Sequence, residues 1–490
     1  MLLAARTASG LTTGGVSNKL ILPTFTLSAG DIAAPMRTPT EFHDYLTAGC
    51  ARAQHRVQIG SLYIGAGSPA VGKPAPLEDR FLSALSSVKS DVKLQVLIDG
   101  HRGSREINGT SSAAAVSSAI SDHPGGGVRL FSVPSPLPVE LPSPLNEAAG
   151  VFHMKAYIFD DDLLLTGANL SEEYFSDRLD RYMLFKNGAG GLVDFYSELL
   201  DTLSDASSSH GDSNESPEVT LNRENLIPSL EKLYKKYNEE LTPTAGSSRS
   251  DTIGHAVPTI QLPACMRKGR PELPFPSDSE TTMNIIDAAA SKFRHPWVGL
   301  SSAYLNPTDS LAQIFGEYVN KGGEATFLTA GGSSHGFAPK KKDTDDEGEG
   351  GGSSGSGRGW IPDAYLHLSR ALKNSLKNSS VLHYERQGWT FHAKGMWLCD
   401  LAAPSNPPSS ESLKAVVVGS GNYGSRSESL DVESNCVVIF EEGGEASSAG
   451  KVKQQCVDDW NLLCEHAEEI SDGETGVMGR IFFNLVKTFL

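Results

Sequence analysis

Two short segments of this 490-residue chain place a histidine and a lysine two positions apart: VFHMKAYIFD, with His153 and Lys155, and TFHAKGMWLCD, with His392 and Lys394. In an extended strand, alternate residues project from one face, so each pair offers an imidazole and an ammonium to the same space. A glycine-containing turn with an asparagine follows each pair, Asn169 in GAN and Asn422 in GSGN. Asp160 lies five residues beyond Lys155 and Asp400 six beyond Lys394, with Cys399 where the first copy's spacing would put the acid. These two carboxylates are candidate catalytic members of the units.

Such a set suits transfer at a phosphodiester, which needs a nucleophile, a proton donor for the departing oxygen and positive charge around the phosphoryl oxygens. Two imidazoles, two ammonium groups and two amides supply all of these without a metal. One neutral imidazole attacks phosphorus, the other protonates the leaving group and later acts as base. Further carboxylates must hold each imidazole in one tautomer through its other nitrogen, and Asp180 in DRLDRY and Glu433 in LDVES are the candidates. A lone His-x-Lys in a strand is ordinarily a surface pair. Two copies, each preceded by phenylalanine and followed by an apolar run, point to one shared centre.

The elements that would position these residues recur in order. RVQIGSLYIG (56–65) and HPWVGLSSAYLN (295–306) read as strands; LQVLIDG (94–100) and ATFLTAG (325–331) read as buried strands entering glycine turns. VRLFSV (128–133) and VLHYER (381–386) precede the two His-Lys segments. Helix-like stretches such as EDRFLSALSSVKS and DAYLHLSRALKNSLKN alternate with them, so the fold class is α/β: a duplication with mainly parallel sheets flanked by helices and the site at the pseudo-twofold interface. The expected boundaries are a first domain over 32–240, a linker over 241–258 rich in breakers, and a second domain over 259–490. The segments near 204–218 and 340–359 have compositions that cannot bury a core and read as loop insertions.

With 39% hydrophobic residues the chain can build two full cores. The formal net charge of −17 argues against a partner with a nucleic-acid backbone. Six cysteines show neither a CxxC pair nor metal-ligand spacing, so no metal or other cofactor is expected. No apolar run is long enough to span a bilayer, which leaves a peripheral membrane contact. The apolar VMGRIFFNLVKTFL at the end reads by default as a packing helix. Residues 1–30 hold Arg6 and Lys19, many hydroxyls and no acid, as an organellar transit peptide would.

Taken together, IGSLYIG, DGHRGSR, HMKAYIFD, LTGANLSEEYF, DRLDRY, FLTAGGSSHGF, IPDAYLHL, WTFHAKGMW and GSGNYGSRS resemble the phospholipase D superfamily, and within it the eukaryotic mitochondrial phosphatidylglycerophosphate synthases. The resemblance implies transfer of a phosphatidyl group from CDP-diacylglycerol to glycerol 3-phosphate with release of CMP, at a mitochondrial membrane, the inner one. It implies His153 as nucleophile and His392 as acid and base, with Lys155, Lys394, Asn169 and Asn422 on the phosphoryl oxygens. An acceptor phosphate calls for arginine, and Arg102, Arg105, Arg178, Arg181 and Arg426 are each either a phosphate ligand or a structural ion-pair partner. Ser420 and Ser425 are possible hydroxyl donors. The alternatives are a phospholipase D-type hydrolase, a cardiolipin-forming transferase, or an inactive lipid-binding protein.

Overall fold

The computed structural model describes residues 1–7, 19–65, 75–107, 109–134, 150–212, 216–240, 251–267, 269–270, 272–338 and 360–470. The apolar C-terminal segment, the 340–359 insertion and most of the expected linker lie outside these residues.

Two sheets carry the molecule, one per half, and six strands occur in the same order in both. In the first sheet these are Tyr182–Phe185, Asp162–Thr166, Ala156–Phe159, Arg56–Ser61, Lys93–Asp99 and Val128–Phe131. In the second they are Glu433–Phe440, Leu413–Gly419, Gly395–Asp400, Pro296–Ser301, Glu324–Ala330 and Ser379–Tyr384. Helices match as well: Pro39–Arg52 with Asp278–Lys292 ahead of the first parallel strand, Leu192–Asp205 with Ser448–Cys464 after the last strand. Side chains cap several of these helix starts, Thr38 accepting from the Glu41 amide and Ser277 forming a reciprocal capping box with Glu280.

The expected β-α-β order holds for the three parallel strands of each half. Beyond them the sheets are mixed, because the His-Lys strands and those after them run antiparallel to their neighbours. Runs such as LLLT and VVVG are buried on every residue because helices and the facing half cover both sides of the sheet.

Three segments differ from the sequence reading. Strand Thr252–Gln261 begins inside the expected linker and pairs with Glu433–Phe440 from Gly254 to Gln261. Strand Phe25–Ser28, within the expected leader, pairs with Thr252–Gln261 and extends the second sheet to nine strands. In 204–218, read as a loop insertion, Ala206 and Ser207 are buried, Ser208–Ser209 pairs with Val128–Phe131, and Ser216 caps helix Pro217–Glu224. Its serines serve the backbone as caps and edge pairs rather than solvating a loop.

Candidate active site

Each His-Lys pair sits just ahead of a strand, where the chain leaves its own sheet and pairs with the other half. Thr390–Phe391 runs parallel to Arg178–Leu179, and the His392 amide donates to Leu179 O at 2.8 Å. In the mirror arrangement Phe152 bridges Val432, and the His153 amide donates to Val432 O at 2.9 Å. The residue after each of these carbonyls is a carboxylate, so the backbone register delivers Asp180 to His392 and Glu433 to His153. His392 Nδ1 lies 2.6 Å from Asp180 Oδ2, and His153 Nδ1 lies 2.9 and 3.0 Å from the two Glu433 oxygens. A ring that donates from Nδ1 to a carboxylate keeps its lone pair on Nε2, the nitrogen that must react.

All of these groups are buried, and the lysines fold back over their own units. Lys155 Nζ donates to His153 O at 2.7 Å; Lys394 Nζ donates to His392 O at 2.8 Å and lies 2.7 Å from His392 Nδ1. Burial and then the Lys155 ammonium hold His153 well below the usual imidazole range, and burial and then Lys394 do the same to His392. Lys394 is lowered by burial to about 8. Burial pushes Asp180 up to about 6 and Glu433 up to about 7, the lysines opposing it in both cases. The charges of the two halves act on one another across the interface: Lys155 and His153 on His392, Lys394 on His153 and Lys155. These six residues therefore form one electrostatic unit.

The two asparagines close the unit. Asn169 Nδ2 donates to the Tyr174 hydroxyl at 3.1 Å, and the Asn422 amide N–H donates to Ser427 Oγ at 3.1 Å. The Oδ1 atom of each is buried without a partner among the described residues, an acceptor that a ligand hydroxyl would use, while the amide N–H groups are what can donate to phosphoryl oxygens.

Asp160 and Asp400 are not part of this unit, which corrects their expected catalytic role. Asp160 accepts from the amides of Gln54, His55 and Arg56, and Asp400 from those of Arg294 and His295, each at the far end of its strand. Strands of this length put them about 16 and 20 Å along the chain from Lys155 and Lys394. Gly395–Asp400 pairs with Pro296–Ser301 without a shift, and the one irregularity of its other edge, between Leu398 and Cys399, leaves Lys414 of Leu413–Gly419 unpaired.

Among the arginines, Arg181 is buried against Asp459 at 2.6 Å with its guanidinium 4.0 Å from the Trp397 ring centre, a structural position. Arg178 pairs with Glu173 at 2.7 Å, and Arg426 with Asp431 at 3.0 Å. Arg102 stands 4.5 Å over the Tyr63 ring, and the Tyr63 phenol acts electrostatically on Tyr174 and Tyr304, the two phenols whose rings pack against His392. Arg105 follows the same short helix, Gly100–Ser104, with its amide on Arg102 O. Ser420 hydrogen-bonds Ser434 and supports Glu433, while the Ser425 amide donates to Asn306 O.

The sequence reading missed Asp99, whose oxygens accept from the Arg102 and Phe152 amides at 2.6 and 2.7 Å and so anchor the segment that carries His153. It also missed Tyr174. Counting from Asn169 to Asp180 and from Asn422 to Glu433 gives the same spacing, which sets Tyr174 against Ser427 and the Glu173–Arg178 pair against Arg426–Asp431.

The fold and the paired units define a duplicated α/β protein with one His-Lys unit in each half. Phosphatidylserine synthase of Haemophilus influenzae Rd KW20 shares this fold, with a TM-score of 0.67 over 96% of this chain and 97% of that one at 16% identity. By sequence, the chain is similar to CDP-diacylglycerol–glycerol-3-phosphate 3-phosphatidyltransferases. The Saccharomyces pastorianus protein is 28% identical over 443 residues, covering 82% of this chain and 77% of its own. The mitochondrial one of Homo sapiens is 27% identical over 478 residues, covering 86% and 76%. No family model matches the sequence.

Proposed function

We propose that the protein moves the phosphatidyl group of CDP-diacylglycerol to the primary hydroxyl of glycerol 3-phosphate and releases CMP. The names of its sequence relatives support the substrates. The observation that carries the chemistry is the crossed pairing of each imidazole with the other half's carboxylate, at 2.6 Å for His392 and 2.9 Å for His153. His153 Nε2 attacks the phosphorus that bears diacylglycerol; an N–P bond forms as the P–O bond to CMP breaks, and His392 gives its proton to the departing oxygen. His392 then takes the proton of the acceptor hydroxyl, whose oxygen displaces His153. Lys155 and Lys394 balance charge on the phosphoryl oxygens, with the Asn169 and Asn422 amides completing the cradle. Leaving group and acceptor use the same side of phosphorus in such a double displacement. Arg102, which stands over Tyr63, is our candidate to receive the acceptor's phosphate.

We place the protein in the mitochondrion, peripheral on the inner membrane. The animal relatives carry that compartment in their names, and no helix among the described residues is long and apolar enough to cross a bilayer. Purified protein given CDP-diacylglycerol alone releases no more than about one CMP per site, the burst of the covalent step, and releases CMP catalytically only when glycerol 3-phosphate is added. Continued CMP release beyond that burst without the acceptor would replace the transferase with a hydrolase, and lipid binding with no CMP release would leave a binding protein. His153→Ala and His392→Ala each abolish turnover in protein that still melts cooperatively, and excess chelator leaves the wild-type rate unchanged.

A further inference from the structure

The two histidines are not equivalent, and the difference lies in one hydroxyl. Tyr174 Oη sits 3.2 Å from His392 Nε2, its ring edge-on to the imidazole at 5.1 Å, and it accepts from Asn169 Nδ2 at 3.1 Å. With its oxygen taken by the amide, the phenol proton points to the Nε2 lone pair. At the matching place in the second half stands Ser427, whose hydroxyl donates at 2.7 Å to Glu433 and not to His153. The neighbouring ion pair is reversed as well. Arg178 lies beside His392, whereas Asp431 lies beside His153.

We propose that Tyr174 is a catalytic residue that fixes His392 as the acid and base and leaves His153 as the nucleophile. This rests on the phosphotransfer reading above. When phosphate binds and His392 is protonated, the bond reverses: Nε2–H donates to Tyr174 Oη, and the phenol proton turns to the departing oxygen. As the P–O bond breaks, that oxygen takes the phenol proton and the phenol takes the imidazolium proton, so His392 ends neutral. In the second half-reaction the acceptor hydroxyl gives its proton to Tyr174 Oη, the phenol proton passes to Nε2, and the new P–O bond forms as the His153 N–P bond breaks. The charged and titratable groups around His392 are Asp180, Lys394, Lys155, Arg178, Tyr304 and His153. None of these six supplies a hydroxyl to its Nε2 at hydrogen-bond distance, although Lys394 Nζ stands 3.3 Å from that nitrogen.

Tyr174→Phe keeps the ring against His392 and Arg178 and removes only the hydroxyl. Kinetics are to be run with CDP-diacylglycerol and glycerol 3-phosphate, together with mass-spectrometric mapping of histidine carbethoxylation by diethylpyrocarbonate, which needs no substrate. In the wild type, His153 is modified before His392. In Tyr174→Phe the two react alike, kcat falls about 100-fold with both KM values within about twofold, and the pH–rate profile shifts. Site-specific replacement of Tyr174 by a fluorotyrosine, which keeps the hydroxyl but makes it more acidic, retains turnover and also shifts the pH–rate profile. An unchanged kcat and pH profile in Tyr174→Phe, or preferential modification of His392 in the wild type, overturns the proposal. If the wild type releases no CMP, the substrate reading fails, while the carbethoxylation pattern still decides for or against Tyr174.

Discussion

An imidazole attacks phosphorus only as the neutral tautomer with its lone pair on Nε2, and in this protein that tautomer is set by Asp180 and Glu433. Burial raises both acids, to about 6 and about 7. A carboxyl whose folded pKa exceeds its unfolded one binds its proton more tightly when folded. Its contribution to stability is full below about pH 4 and is lost as the pH rises through about 6 to 7. Replacing Glu433 by Gln therefore flattens the fall in unfolding free energy between those limits, as urea titrations at stepped pH would show. An unaltered slope would refute the assignment. Activity runs the other way, since only the ionised carboxylate orients its ring, so kcat rises across the same window. The acceptor site gives a second residue-scale expectation. Arg102→Ala removes a charge-assisted contact of about 1.5 to 3 kcal/mol, raising the KM for glycerol 3-phosphate about 10- to 100-fold while that for CDP-diacylglycerol holds. Equal rises in both KM values would instead mark Arg102 as a general support of the pocket.

At the scale of elements, the same five or six residues that make a His-Lys strand also separate chemistry at one end from architecture at the other. Asp160 adopts a positive φ of 54° and gathers three backbone amides from the loop before Arg56–Ser61. Asp160→Ala leaves those donors with one acceptor fewer and costs about 1 to 3 kcal/mol in a denaturation curve, with the specific activity of the folded fraction unchanged. Loss of activity without loss of stability would restore the catalytic reading. Gly167 behaves oppositely. A Cβ there would stand 2.7 Å from Lys394 Nζ and 2.8 Å from Asp180 Oδ1, so Gly167→Ala displaces the groups that hold His392 and lowers kcat by more than it lowers the melting temperature. The His, Lys and Asn positions were legible because chemistry repeats them in both halves. The aspartates misled because an acid at a strand end has the same spacing whether it meets a substrate or a backbone. Tyr174 stayed hidden because its counterpart, Ser427, is a different residue type.

The molecule as a whole is two copies of one sheet whose sites are completed only by exchange, and the duplication itself was readable from the matched strand order. The partner of each histidine was not, because pairing between Val432 and Phe152, or Leu179 and Phe391, joins segments far apart in the chain. A similar exchange ties the N-terminal segment to the second half. Lys19 bridges Glu272 and Glu280, and Phe25 packs on Phe195 and Tyr237 of the first half while its strand extends the sheet of the second. Leu22, Phe25 and Leu27 are fully buried. At about 1.5 to 3 kcal/mol each, their loss removes about 5 kcal/mol or more, comparable to the whole stability of an ordinary domain. Composition marked residues 1–30 as a leader, yet a leader removed at that point would take an edge strand and a clamp between the halves with it. A chain started at Asp31 is thus expected to be insoluble or to melt far below the full-length protein, whereas one started at Lys19 stays soluble and active. Mass spectrometry of the mature protein purified from its native cells is expected to find its N-terminus no later than Lys19. A stable, active protein beginning after Ser28 would show that this strand is dispensable.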